Sequence, residues 1–524
     1  MSTYDYIVVG AGSAGAVLAG RLSEDPSVTV LLVEAGGSHR NLKVRVPAAF
    51  PTQFKTDLDW EYYTEPEPHL DGRSIYHPRG KMLGGCSSMN AMIYIRGNRA
   101  DFDGWAKAGA TGWSYDEVLP LFRRSEANSR GESTYHGSTG PLHIQEQRSP
   151  NDVSRRIVEA MVAAGFDRND DFNGAEQVGA GFYQVTHKRG KRWTTADGYL
   201  APARRRANLT VMTQAQVLRV RITDGRAVGI EVERKGKQQF VQAAREVVLS
   251  AGALNTPQLL MLSGVGPADH LSEHGIATVV DNANVGSHLM DHPLVLLNWD
   301  TTAKGTLAGA QNPLHLLNFL ARRRGLLTSN VGEAGGFFHT RPDEEAPDVQ
   351  VIAAPGFFKN HGFDTYDKPA FSMALSLVGS KSRGQVRLNS SDPRAKVATT
   401  FNYLAEQADL DSLVAGVERA RAIAAAAPLH GVTGAELNPG AEVRTRAQVE
   451  DWIRAELQHT YHPACTARIG TEQDGVVDPE LRVHGVEGLR VADASVFPTI
   501  THGNTHAPTV LVGEKAADLI RTTK

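Results

Sequence analysis

Tyr6-Ile7-Val8-Val9-Gly10-Ala11-Gly12-Ser13-Ala14-Gly15, a short apolar stretch, and then Val28-Thr29-Val30-Leu31-Leu32-Val33-Glu34 stand at the start of this chain. The first apolar run reads as a buried strand. Gly10 makes the tight turn after it, Gly12 lets backbone N–H groups approach a pyrophosphate, and Gly15 lets the following helix pack closely on the strand. The helix N-terminus offers the positive end of its dipole to the phosphates. Pro26 closes that helix, and a second buried strand ends in Glu34, a carboxylate placed to accept hydrogen bonds from ribose hydroxyls. Strand, turn, helix, strand and acid in this order predict a site for an adenine dinucleotide. NAD and FAD share that half, so the unit alone leaves the choice between them open.

At 524 residues the chain exceeds what one hydrophobic core organises, which predicts two domains of unequal size. A formal net charge of -3 gives neither sign control of the surface and argues against a nucleic-acid partner. No apolar run approaches the roughly 20 residues of a membrane span. The first strand begins almost at Met1 without a basic and apolar leader, and the cysteines are only Cys86 and Cys465. Both features predict a cytoplasmic protein without a disulfide framework.

Three later stretches carry the rest of the functional reading. Residues 78–91, Pro-Arg-Gly-Lys-Met-Leu-Gly-Gly-Cys-Ser-Ser-Met-Asn-Ala, form a second glycine cluster whose backbone can lie flat against a large planar ligand. Residues 252–266 read as a strand end feeding a helix, with Pro257 in its first turn and Gly264 at its C-terminus. The last stretch holds His459-Thr460-Tyr461-His462-Pro463-Ala464-Cys465, then a strand ending before Asp493-Ala494, then Gly503-Asn504-Thr505-His506-Ala507-Pro508 and a closing helix over 509–520.

In this order the stretches resemble the glucose-methanol-choline (GMC) family of FAD-dependent oxidoreductases, of the choline dehydrogenase-like kind. The resemblance covers nearly the whole chain and is weakest over 294–459. It implies FAD as cofactor, with Gly10, Gly12, Ser13, Gly15, Glu34 and Ala35 on the adenylate half and Val217 touching the adenine through its backbone. Gly80, Met82, Gly84, Gly85 and Ser88 would belong to the loop passing the flavin, with Asn90 and Ala91 beside its reactive edge. Asp493 and Ala494 would contact the pyrophosphate or ribityl chain, and the last helix would aim its N-terminus at the flavin's pyrimidine side. His462 matches the catalytic histidine, and His506, eight residues before Glu514, the second active-site position and a cofactor contact. Met89 stands where members with a tethered flavin carry His, so a non-covalent FAD is implied, and Cys86 replaces the Ser or Gly of many members. His459, His462 and Cys465 are spaced like metal ligands, but without a second cluster no metal is assigned.

The implied fold is α/β: a Rossmann-type FAD-binding domain (1–150, 200–295 and 460–524) and an α+β substrate domain on an antiparallel sheet (151–199 and 296–459). Local patterns predict a long ordered loop over 36–70, a capped helix at Ser114, an amphipathic helix over 152–165 and a strand over 181–187. The basic run 188–192 reads as a solvated turn, and strands are expected over 209–212, 217–222, 228–232 and 246–250, the middle two joined at Asp224-Gly225. Residues 314–320, followed by three arginines, read as a helix with a buried apolar face, preferred over a membrane-surface helix because the run is short. Glu333, among glycines and aromatics, reads as a pocket residue or an ion-pair partner, and His502 as an exposed loop residue.

The resemblance implies oxidation of a primary alcohol, polyol or sugar hydroxyl, with His462 as base and His506 as its partner, or the reverse. O2 or another electron acceptor would reoxidise the flavin. Family resemblance also leaves open a hydroxynitrile lyase or a photodecarboxylase on the same fold, and a flavin redox protein without turnover.

Overall fold

The structure, a computed structural model, describes residues 2–522. The β-branched runs of the opening stretch lie side by side as parallel strands, Thr3–Val9 against Val30–Val33, with Leu209–Met212 parallel on the outer side of the latter. The strand Lys237–Leu249 serves two neighbourhoods. Its last residues run parallel to Thr3–Val9 on one side and Leu489–Val491 on the other, while its first half pairs antiparallel with Arg226–Arg234. It is longer than the 246–250 the sequence suggests, because the hairpin arm before it continues the same strand. Asp224 and Gly225 join Ala215–Thr223 to Arg226–Arg234 with φ of 48° and 74°, the double left-handed turn that suits a hairpin's twist.

Gly15–Leu22 follows the glycine turn and is buried on every residue but one. A Cβ on Gly15 would stand 1.9 Å from the Gly10 carbonyl oxygen, so only glycine allows this helix its approach. The last helix, His506–Thr522, packs on it, and a Cβ on Gly513 would stand 2.7 Å from the Ala14 oxygen.

A second sheet is antiparallel throughout, in the order Thr433–Asn438, Pro293–Thr301, Ala370–Leu377, Val349–Ala354, Ala334–Phe338, Gly179–Phe182. Side chains alternate across it with the strand period of two. Val295, Leu297, Met373, Leu375, Val351 and Ala353 join one apolar core, which the helices Asp152–Ala163 and Gln407–Ala424 cover. The alternate positions point the other way, into the functional cavity. Core membership also crosses chain order: Ala196, Tyr199 and Leu200 pack with the first sheet, and Tyr62, Leu70 and Ile75 with the second.

Two of the local helix expectations hold, and several others are realised differently. The helix at Ser114 has its reciprocal cap with Glu117, and Asp152–Ala163 ends just before Gly165 at φ 94°. The expected strand over 181–187 is instead two pieces, Gly179–Phe182 and His187–Lys188. The basic run 188–192 does turn tightly between His187–Lys188 and Lys191–Arg192, but Arg192 is not solvated. It is fully buried, donating to the carbonyls of Val44 and Ser87 and to Asn90 Oδ1. Glu333 is not on the wall of the functional cavity and pairs with no cation among the described residues; its carboxylate takes the Asn151 N–H and amide and the Ser154 hydroxyl, at the N-terminus of Asp152–Ala163. His502 is only partly exposed and binds Asp101. The helix Pro313–Arg322 buries Phe319 and leaves Leu314, Leu317 and Leu320 exposed, the reverse of the expected buried face.

Candidate active site

The two sheets enclose one cavity of about 310 Å³. Its nucleotide end is built by the turn after Thr3–Val9 and by the second glycine loop lying against it. Gly85, at φ 49°, would carry a Cβ 2.8 Å from Gly12 Cα, so the two loops touch backbone to backbone. Gly12 has no atom nearer than 4.0 Å to its own Cβ position, which leaves its amide face open to the cavity. Glu34 is fixed at this end by the N–H groups of Ala11 and Gly36, at 2.9 and 2.8 Å, and burial pushes its carboxyl up to about 7 against those two bonds.

Of the positions singled out in the sequence, Gly10, Gly12, Ser13, Glu34, Ala35, Gly80, Gly85, Asn90, Ala91, Val217, His462, Asp493, Ala494 and His506 all line this cavity. Gly15, Met82, Gly84 and Ser88 lie behind it. Gly15 serves helix packing, Met82 fills a small apolar core, and Ser88 donates to the Leu83 carbonyl under the left-handed Gly84. Asp493 ties three segments together, accepting from the Gly252 N–H, the Thr256 hydroxyl and the Ser495 N–H at 2.6 to 2.8 Å.

At the other end stands His462, carried on a constrained backbone. Tyr461 before it has φ 66°, its carbonyl taken by Arg79 at 2.7 Å and its hydroxyl 2.8 Å from His361 Nδ1. The His462 N–H donates to Asp291 Oδ1 at 2.8 Å, and the same oxygen takes the His292 N–H at 2.7 Å. The Nδ1 atoms of His462 and His292 lie 2.9 Å apart, so one donates to the other. With the proton on His462 Nδ1, its Nε2 is an acceptor, 3.4 Å from the Asn504 amide. Burial pushes the His462 imidazole down to about 3, helped by Arg79, His459 and His77, and burial beside His462 pushes His292 well down too. Both rings are therefore neutral at neutral pH.

The expected pairing of His462 with His506 is not a direct contact. His506 Nδ1 lies 3.1 Å from Ser13 Oγ, and its buried Nε2 has no protein partner. Asn504, two residues earlier, is the group beside His462, because the turn before the last helix aims residues 504 and 506 at opposite ends of one cavity. Nor do His459, His462 and Cys465 form a ligand set, since Cys465 is buried in the first core. The acid-histidine cluster among the described residues is His77, Asp291 and His459, fully buried. His459 spends both ring nitrogens on backbone, the Tyr76 carbonyl and the Tyr461 N–H, which leaves no lone pair for a metal.

Reading residue types did not find Asp291, His292, Asn504, Arg79 or Arg192. The one available signal was a polar pair, Asp291-His292, directly before the apolar strand Pro293–Thr301.

The substrate end is apolar. Leu294, Leu296, Ile352, Ala354 and Ala374 come from the second sheet, with Phe50, Phe54, Trp60 and Phe358 around them, and Ser372 adds a hydroxyl. Among the described residues the only carboxylates on the cavity wall are Glu34 and Asp493, both at the nucleotide end.

The N-terminal and C-terminal profiles of the GMC oxidoreductase family match residues 4–294 and 380–513. An uncharacterized GMC-type oxidoreductase of Mycobacterium tuberculosis is 47% identical over 99% of both chains. An oxygen-dependent choline dehydrogenase of Rhizobium etli is 41% identical over 98% of this chain and 95% of its own. Among solved structures, pyridoxine 4-oxidase from Mesorbium loti superposes with a TM-score of 0.90 at 30% identity, covering 99% of this chain and 100% of that one. Formate oxidase of Aspergillus oryzae, studied for modification of its FAD, gives 0.93 at 29% identity over 99% and 98%.

Proposed function

Because the chain belongs to the GMC oxidoreductase family and is similar over its length to a choline dehydrogenase and a pyridoxine 4-oxidase, we propose that it oxidises an uncharged, largely apolar alcohol to the carbonyl with FAD as cofactor. The residues present fit that group: an open glycine-amide face, a fixed Glu34 carboxylate, a helix N-terminus at His506 and a buried nitrogen without a partner, all on one wall. Gly10, Gly12, Ser13, Glu34, Ala35 and Val217 would hold the adenylate half. Gly80, Gly85, Asn90, Ala91, Asp493, Ala494 and His506 would hold the remainder, non-covalently, since Met89 on the wall offers no nucleophile for a tether. When bound, FAD supplies the hydride acceptor, and O2 or another acceptor takes the electrons on.

The protein's own part is to place and deprotonate the alcohol. A neutral His462 Nε2 takes the hydroxyl proton while Asn504 orients the same oxygen; Asp291 and Arg79 fix the backbone that carries His462, and His292 holds the ring through Nδ1. The apolar walls exclude water from the carbon losing hydride. The same walls carry the choice of substrate: a cation such as choline would find no carboxylate at this end, whereas an apolar chain finds Leu294, Leu296, Ile352 and Phe358.

Anaerobic mixing with a panel of alcohols, followed by admission of air, tests this reading. Straight-chain and aryl alcohols should bleach the flavin absorbance, choline should not, and the rate of return in air separates O2 from other acceptors. His462→Ala should lower the bleaching rate by about 10²–10⁴-fold with FAD still bound. Bleaching by choline in preference to neutral alcohols would overturn the substrate class. Release of cyanide or CO2 without net bleaching would replace oxidation by a lyase or decarboxylase reaction.

A further inference from the structure

The helix Pro313–Arg322 presents an apolar face to solvent that no part of the described chain covers. Leu314, Leu317 and Leu320 are 69, 61 and 46% exposed, at spacings that put them within an arc of about 120°. Phe319 lies on the opposite side, fully buried, and anchors the helix to the body. The anchoring is firm at the far end as well. Asn312 caps the first turn, Asn318 holds the Arg324 carbonyl, and the Gly325 N–H donates to Ser149. The leucines are therefore displayed on an ordered helix.

The charge around them has one sign. From Thr301 to Gly332 the sequence contains Lys304, Arg322, Arg323 and Arg324 and no acidic residue. The ion pairs of the described residues include none of these four cations. Arg323 lies over the Phe319 ring, 4.9 Å from its centre, and Lys191 stands close enough to Arg323 and to Arg189 to feel their charge. Arg45 borders the same patch but is paired with Asp197 at 2.9 Å. No helix among the described residues is long and apolar enough to cross a membrane.

We propose that Pro313–Arg322 docks on anionic lipid bilayers, with Leu314, Leu317 and Leu320 entering the acyl boundary and Arg322, Arg323 and Arg324 contacting the headgroups. A short amphipathic helix with leucines on one side and unpaired cations beside them is the composition that lies in such an interface. Charge decides between lipid and a second copy of this chain, because a second copy would bring the same cations to the contact and no acidic residue from 301–332 to meet them. The segment returns to the body through Val331 and Gly332, which line the functional cavity, so docking brings the lipid phase near the apolar substrate end. The proposal stands on the helix and its charge, and holds whatever alcohol the site oxidises.

Co-flotation of the FAD-loaded protein with phosphatidylcholine vesicles, with and without phosphatidylglycerol, tests it. The protein should float with the anionic vesicles and hardly with the neutral ones. Raising the salt from about 0.1 to about 1 M, which shortens the screening length from about 10 to about 3 Å, should release it. The variant Leu314→Ser/Leu317→Ser/Leu320→Ser should lose at least tenfold in vesicle affinity. Arg322→Gln/Arg323→Gln/Arg324→Gln should lose about fivefold per cation on anionic vesicles alone. Both sets lie outside the catalytic cavity, so FAD content and turnover of a water-soluble alcohol should match the parent and confirm folding. Absence of flotation with anionic vesicles overturns the proposal. So does flotation that the leucine variant does not weaken, or leucine-dependent self-association in its place.

Discussion

Asp291 shows how much of the site depends on a residue that need not touch a substrate. One of its oxygens takes the N–H groups of His292 and His462; the other faces His77 Nε2 at 3.0 Å and the Tyr403 hydroxyl at 3.5 Å. Asn at this position keeps one acceptor and turns an amide N–H₂ toward its neighbours, so His462 should shift without a cavity opening. Asp291→Asn is expected to lower kcat by about tenfold to a hundredfold, with KM for the alcohol and FAD content little changed, because a misplaced base costs rate more than binding. Steady-state kinetics beside the flavin spectrum check this, and a change in KM alone would assign Asp291 to substrate binding. At this scale the places of Gly10, Gly12 and Glu34 on the cavity wall were legible from the turn and strand they belong to, and that of His462 from the family motif it stands in. Asn504 and His292 were not, because their roles come from partners 42 and 170 residues away.

Among the elements, Asp152–Ala163 was readable as a helix from its apolar spacing, but what holds its first turn was not. Glu333, some 180 residues later, brings a buried carboxylate to the free N–H end, where it meets the Asn151 N–H and the Ser154 hydroxyl. Glu333→Gln retains the shape and removes the charge. It should cost about 1–2 kcal/mol, seen as a lowered Tm in thermal unfolding, with activity per folded molecule unchanged. The helix Pro313–Arg322 makes the opposite point. Its apolar period is as clear as that of Asp152–Ala163, yet only Phe319 found a partner. Periodicity reports that a face is apolar and says nothing of whether the fold covers it. Long buried strands such as Lys237–Leu249 are likewise blurred at their polar end, where pairing rather than composition sets the length.

Across the whole molecule, seven enclosed histidines share one electrostatic state. Burial lowers His77, His187, His292, His361, His459, His462 and His506 below the ordinary imidazole value, to about 3 for His187 and His462 and about 4 for His361 and His506. The unfolded chain then binds more protons than the folded one below about pH 6.5, so stability is full above that value and falls as the pH drops toward 4. Glu34 and Glu67, raised by burial to about 7, and His136, raised against its burial by Asp171 and Glu126, act in the opposite direction, losing stability as the pH rises, but they are three against seven. The expected outcome is a Tm that declines between about pH 6.5 and 4.5, measured by calorimetry. A flat or rising Tm over that range would mean that the histidines charge inside the fold.

The sequence alone determined the glycine turn and the two strands that flank it, Thr3–Val9 and Val30–Val33, because they depend on contacts within about 30 residues, and the order of the family's motifs, His462 among them, because each motif is a local run. Tertiary structure decided what surrounds them. Folding sets Asn504 rather than His506 beside His462, buries Arg192 from a run that looks solvated, and turns Glu333 into a helix cap. It also leaves three leucines of Pro313–Arg322 in solvent. Each outcome rests on which distant side chain occupies the neighbouring space, and a local pattern carries no information about a neighbour hundreds of residues away.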